Sequence, residues 1–170
     1  MADTGLNTAA NVANTSWTSI SASNIDTSDD TRATATGTTY LVAEAYNFSF
    51  GVPSDATIDG IEVQAEFSSS LAGAIASLRL SISGNGGAAY SATKEDTVTG
   101  LTDTTKTFGG ATDLWGEASF SEYGTQDGNF FVKVEGKTNL AGRSCRLDYL
   151  AVKIYYTEAN GGGFFLLMGA

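Results

Sequence analysis

"IEVQAEFS", residues Ile61–Ser68, alternates apolar and polar side chains without a break. In an extended chain successive side chains point to opposite faces. Ile61, Val63, Ala65 and Phe67 therefore share one face, and Glu62, Gln64, Glu66 and Ser68 share the other. One dry face and one wet face is the signature of a strand in an antiparallel sheet packed on a single side. The same pattern recurs in both directions. Upstream, Tyr46, Phe48 and Phe50 alternate with Asn47 and Ser49, predicting a strand over residues 40–50. Downstream, Leu78, Leu80 and Ile82 alternate with Arg79, Ser81 and Ser83, and "GNGG" at Gly84–Gly87 supplies the positive backbone angles of a turn, with Tyr90 expected on the returning strand.

Two further strands follow. "NFFVKVEG" places Phe130, Val132 and Val134 on one face and Phe131, Lys133 and Glu135 on the other. "RLDYLAVKIYYT" carries Leu150, Val152, Ile154 and Tyr156 on one face and few polar residues elsewhere, which predicts a central, well-covered strand. No helical period and no fixed-length repeat intervenes. At 170 residues, with 20 glycines and one proline, the composition is that of short strands joined by tight turns. The fold expected is all-β, a single antiparallel β-sandwich of the jelly-roll kind. Residues 16–158 are assigned to that domain, 1–15 to an N-terminal arm, and 159–170 to a glycine-linked apolar C-terminal arm.

Proline is disallowed inside a sheet ladder because it has no N–H to donate. Pro53 therefore marks a corner in "FGVPSDATIDGIEV", residues Phe50–Val63. Phe50 and Gly51 end one strand, Asp55 suits a turn, Ile58 closes over the core, and Gly60 permits a bulge or a close backbone approach. These six residues form a strand-corner motif and need no catalytic role.

The corner, the "DLWG" around Trp115 and the closing "RLDYLAVKIYYT" together resemble a pattern in tailed-bacteriophage virion structural proteins and related prophage proteins. There an aromatic-glycine-x-proline corner leads into "A-T-I-x-G-I-x-V". The resemblance spans Trp17 to Thr157. It implies a β-sandwich particle component of capsid cement or decoration type, located in the virion after assembly in the host cytoplasm. Its implied partners are copies of itself and a major capsid or other virion protein, with a tail, baseplate or fibre component as the alternative within the class.

The totals exclude several chemistries. A net charge of −10 without a lysine or arginine cluster disfavours nucleic acid and anionic membranes. The N-terminus lacks the basic start and apolar run of a secretory signal. Histidine is absent and cysteine occurs once, which excludes Ser-His-Asp catalysis, cysteine- or histidine-based zinc sites and an intrachain disulfide. Cys145 is expected to be a small buried hydrophobe. Asp26, Asp29, Asp30, Asp55, Asp59, Asp113 and Glu117 could supply paired carboxylates for glycoside cleavage, but most lie in turn-like segments where aspartate bonds the local backbone. "DTSDD" at Asp26–Asp30 offers oxygen ligands without the glycine and distal glutamate of a calcium loop. No catalytic residue, metal or cofactor is assigned.

Two recognition features remain. Trp17, Tyr40, Tyr90, Trp115 and Tyr123 could form a sugar-stacking platform. Aromatic residues of a sandwich more often pack in the core, and Trp115 and Tyr123, with loop-like neighbours, are the candidate glycan contacts. The second feature is terminal. Gly161–Gly163 detach Phe164, Phe165, Leu166, Leu167 and Met168 from the last strand. Burying these five side chains is worth roughly 10 kcal/mol, against about 1–2 kcal/mol per ordered residue. The segment is expected to dock on a neighbouring subunit, as an assembly contact, rather than on its own core. The leading expectation is thus a non-enzymatic virion subunit, and the alternative from another class is a carbohydrate-binding β-sandwich module.

Overall fold

A computed structural model describes residues 1–13 and 15–159 of the chain. Among these residues eleven strands follow one another: β1 Ala2–Asp3, β2 Asn7–Thr8, β3 Asn11–Ala13, β4 Ala33–Thr36, β5 Leu41–Tyr46, β6 Thr57–Ser69, β7 Ile75–Ser83, β8 Lys94–Thr99, β9 Thr104–Gly110, β10 Phe131–Thr138 and β11 Ser144–Thr157. Their pairings are antiparallel throughout. Two sheets result. One runs β1-β11-β6-β9, with β2 and β4 also on β11; the other runs β3-β5-β10-β7-β8. The molecule is an all-β antiparallel sandwich, as the alternation predicts.

The core is built by the faces read from the sequence. Ile61, Val63, Ala65 and Phe67 of β6 and Leu150, Val152 and Ile154 of β11 meet Leu78 and Leu80 of β7 and Val132 and Val134 of β10, all fully buried. β11 is central, hydrogen-bonded to β6 on one side and to β1, β2 and β4 on the other. Cys145 is buried in it, and burial pushes its thiol pKa up to about 12.

Several expectations shift. The first strand stops at Tyr46 rather than Phe50, because Asn47, Ser49 and Gly51 have φ of 61°, 54° and 65°. Left-handed residues at every second position cannot continue a ladder. Phe48 and Phe50 still enter the core, whereas Tyr46 turns outward and stacks on Phe131 with ring centroids 4.7 Å apart. The threonine-rich run after Lys94, ambiguous by pattern, forms β8 and β9. Tyr90 does not lie on a returning strand; the connection after Ser83 continues to Lys94. The first thirteen residues, expected as an arm, lie along the sandwich as β1, β2 and β3, pairing with β11 and β5.

The corner behaves as proline chemistry demands. The Ala56 N–H donates to the Pro53 carbonyl at 3.1 Å, closing a turn over Ser54 and Asp55. Ile58 is buried against the core. At Gly60 a Cβ would fall 2.3 Å from the Ala111 carbonyl carbon and the Gly110 oxygen, and the β6–β11 register slips beside it, between Tyr155 and Tyr156. Both expected roles of that glycine, the close approach and the irregularity, are present.

The registers bring the connections 47–56, 84–93 and 111–130 to one end of the sandwich. Tyr46, Phe131 and Ser83 are in line across one sheet, and Ile61 is level with Gly110 and Ile154 across the other. The connections 70–74, 100–103 and 139–143 lie at the opposite end.

Candidate functional site

The 47–56, 84–93 and 111–130 end is built on an aromatic cluster. Phe48 and Phe50 stack at 5.5 Å, and Phe50 meets Phe130 edge-on at 5.1 Å, with Phe120 tilted against Phe130 at 5.9 Å. Such rings fill the end of the core and give the loops above them a rigid floor. Asp127 then ties two loops together, accepting from both the N–H (2.9 Å) and the hydroxyl (3.0 Å) of Ser49.

Two cavities open above this floor. The first, of about 220 Å³, is bounded by the end of β7 at Ile82 and Ser83, by Asn85, Tyr90 and Ser91, and by Glu117, Phe120 and Ser121. Small-molecule sites run to roughly 300–1,000 Å³, so this one suits a single ring better than an extended ligand. The second, of about 230 Å³, lies between Phe50–Val52 of the corner and Glu122–Asp127. Segment 119–127 contributes to both. Tyr123 lies in it and is 64% exposed.

The first cavity keeps unused hydrogen-bonding capacity. Asn85 accepts through Oδ1 from the Ser83 hydroxyl and the Ala89 N–H, which leaves its Nδ2 without a partner among the described residues. The Glu117 side chain likewise makes no hydrogen bond or ion pair among them. Tyr90 is fixed from behind. Its hydroxyl donates to Glu44 at 2.6 Å, Lys133 Nζ lies 4.5 Å from its ring centroid, and its phenol is held well above its ordinary pKa by burial, with the Glu44 hydrogen bond and charge adding to it.

Of the candidate glycan contacts, Tyr123 is exposed on the 119–127 segment, whose neighbouring residues line the cavities although Tyr123 lines neither, and Trp115 is buried. Trp115 is 0% exposed, and its indole Nε1 donates to the Ile61 carbonyl at 2.9 Å. A backbone φ of 60° and the Asp113 carboxylate, which accepts the Trp115 N–H at 2.7 Å, turn the ring into the core. Trp115 is therefore a packing residue. Trp17 is likewise buried, donating to the Leu41 carbonyl at 2.7 Å. Tyr40 is half-buried between Arg79 and Lys137 on the outer face of the second sheet; burial, with the Glu95 hydrogen bond adding, pushes its pKa up to about 12. Phe50 and Gly51 line the second cavity, while Pro53, Asp55, Ile58 and Gly60 shape the corner behind it. Phe164–Met168 lie outside the described residues. Phe120 and Asn85 were not predicted as site residues; the signal for Phe120 was the long aperiodic run before Phe130, since long connections in compact domains are often functional, whereas Asn85 lies in the Gly84–Gly87 turn, whose pattern shows only a strand connection.

The opposite end holds the one group of carboxylates, among the described residues, able to share a cation. One oxygen from each of Asp30, Asp103 and Asp148 lies within 4.8 Å of the others. Arg32 already bonds Asp103, with Nε donating at 2.9 Å, and ion-pairs with Asp30. Burial raises the Asp103 pKa, but the Arg32 hydrogen bond, that of Ser68 and the Arg32 and Arg146 charges outweigh it and hold the carboxyl below its ordinary value. Asp148, 2% exposed, moves the other way, raised chiefly by burial. The guanidinium is the cation this cluster holds.

No family model matches the chain, and no curated protein matches it. Solved structures do. AlyQ truncated to its CBM32 and alginate lyase domains aligns over 93% of this chain and 34% of its own, at 13% identity and a TM-score of 0.56. The chain thus spans about a third of that protein. The CBM32 of AlyQ in complex with 4,5-unsaturated mannuronic acid aligns over 86% of this chain and 96% of its own, at 14% identity and a TM-score of 0.51. The shared feature is the sandwich. CBM32 is a carbohydrate-binding module, and at these identities the likeness is one of fold.

Proposed function

We propose that the chain is a non-catalytic saccharide-binding module whose site is the loop end around Tyr90, Phe120 and Tyr123. The observation that carries the reading is the first cavity. It combines ring-sized volume, aromatic walls, and an amide and a carboxylate with free hydrogen-bonding capacity. A sugar ring presents an apolar C–H face to aromatic side chains and hydroxyls to polar ones, so both halves of the lining have a use. Among the described residues the cavity lining has Glu117 as its lone carboxylate, without the flanking pair that glycoside hydrolysis requires. The Asp127–Ser49 bonds tie the 47–56 connection to the 119–127 segment that lines both cavities, and holding that segment before binding lowers the ordering cost.

The test is saccharide binding by calorimetry or on a glycan array with native protein and Tyr123→Ala. The variant is expected to bind about tenfold more weakly, roughly 1.4 kcal/mol, with an unchanged urea midpoint because the side chain is exposed. Equal affinity of the two proteins removes Tyr123 from the site, and failure of native protein to bind any saccharide sinks the reading.

A second reading, the virion cement subunit, rests on the sequence resemblance and the apolar segment 164–168. It expects attachment to assembled shells in high copy number that is lost on deleting residues 161–170. Saccharide binding that survives this deletion separates the two.

A further inference from the structure

The charge pattern of the loop end narrows the class of sugar, granted the saccharide-binding reading above. Among the described residues, every charged side chain lining the two cavities is acidic: Glu117 in the first, Glu122 and Asp127 in the second. Two of these already act within the protein. Glu122 accepts from Gln126 Nε2 at 2.8 Å, and Asp127 holds Ser49. Glu117 has no such task among the described residues. The nearby cations are committed elsewhere. Lys94 pairs with Asp113 at 2.7 Å, and Lys133 rests over the Tyr90 ring. A carboxylate ligand in the first cavity would thus meet the Glu117 charge and, among the described residues, no uncommitted lysine, on a chain whose net charge is −10.

We infer that Glu117 is a specificity-determining residue that pairs with the ammonium of an amine-bearing saccharide and turns away uronates. The ring of such a sugar would stack at Phe120 and Tyr90, its hydroxyls would reach Asn85 Nδ2, and its amine would bond the Glu117 carboxylate. A charge-assisted hydrogen bond to a carboxylate with no competing partner is stronger than a neutral one. Like-charge juxtaposition excludes the acidic alternative.

The experiment compares three probes on the full chain by calorimetry: glucosamine oligomers, their N-acetylated counterparts, and oligomannuronate. Glucosamine oligomers are expected to bind about tenfold more tightly than the acetylated ones at low salt, and the gap is expected to narrow in high salt. Glu117→Gln should bring the glucosamine and acetylated probes to the same affinity, and Glu117→Lys should reverse the preference in favour of oligomannuronate. Glu117 is exposed, so both variants are expected to keep the native urea midpoint. Binding of saccharides without an amine preference, an unchanged gap in Glu117→Gln, or tight binding of oligomannuronate by the native chain overturns this inference alone. Binding of none of the three overturns the saccharide reading with it.

Discussion

Trp115 illustrates how one residue's surroundings can reverse what its neighbours suggest. The neighbours of Trp115 in "DLWG" read as loop-like, and a tryptophan exposed on a loop is a natural sugar platform. In the fold its Nε1–H bonds Ile61 at the start of the dry stretch of β6, and the ring fills the space between the sheets. Replacing Trp115 with alanine removes that bond and leaves a cavity, which is expected to cost about 3–5 kcal/mol and to lower the urea midpoint sharply. A midpoint equal to that of native protein contradicts the packing role. The orientation was not legible in the sequence, because it depends on a left-handed φ and on Asp113 capturing a backbone N–H, and neither leaves a periodic trace. The exposure of Tyr123 was legible for the converse reason. Its neighbours have no alternation to bury it, and it is exposed.

Among the elements, β11 carries a charge where its pattern calls for an apolar side chain. Asp148 sits where the β11–β6 register slips between Leu147 and Tyr149, and its Oδ1 is buried without a hydrogen-bond partner among the described residues. Burial raises its pKa; the Asp103 and Glu66 charges add to this, while the Asp30 N–H bond and the Arg32 charge oppose it. A carboxyl whose folded pKa exceeds its unfolded one, about 3.9, favours the fold below that unfolded value. That contribution is lost as pH rises through the folded value. At neutral pH the strand therefore holds a poorly solvated anion. Asp148→Asn keeps an oxygen for the Asp30 N–H and has no charge, so it is expected to raise the urea midpoint at pH 7, with the advantage shrinking toward pH 4. A difference that stays constant across that range contradicts the assignment. Asp103, held low by Arg32, acts in the opposite sense: its contribution is present above about pH 4 and is lost as pH falls through its folded value. The strand pattern of β6, β7, β10 and β11 was plain from alternation alone. β8 and β9 were not, since threonine suits either environment, and the Phe48–Phe50 run alternated for reasons of loop geometry rather than of pairing.

Over the whole molecule, partners are distant in sequence. β6 pairs with β11 and β5 with β10, so neither sheet closes until the C-terminal third of the chain is in place. Non-local pairing of this kind folds slowly. Refolding followed by the fluorescence of Trp17 and Trp115 is expected to take milliseconds to seconds, and complete recovery within microseconds would contradict the topology. The same pairing has a use at the bench. Ala2 lies directly across from Tyr156, next to the corner that borders the second cavity. A bead or sensor surface attached beside Ala2 or Thr157 would crowd the cavities. Because the first and last strands are neighbours, the backbone can be spliced there and reopened at the exposed Leu140–Gly142 turn, circularly permuting the protein and moving its tether to the far pole.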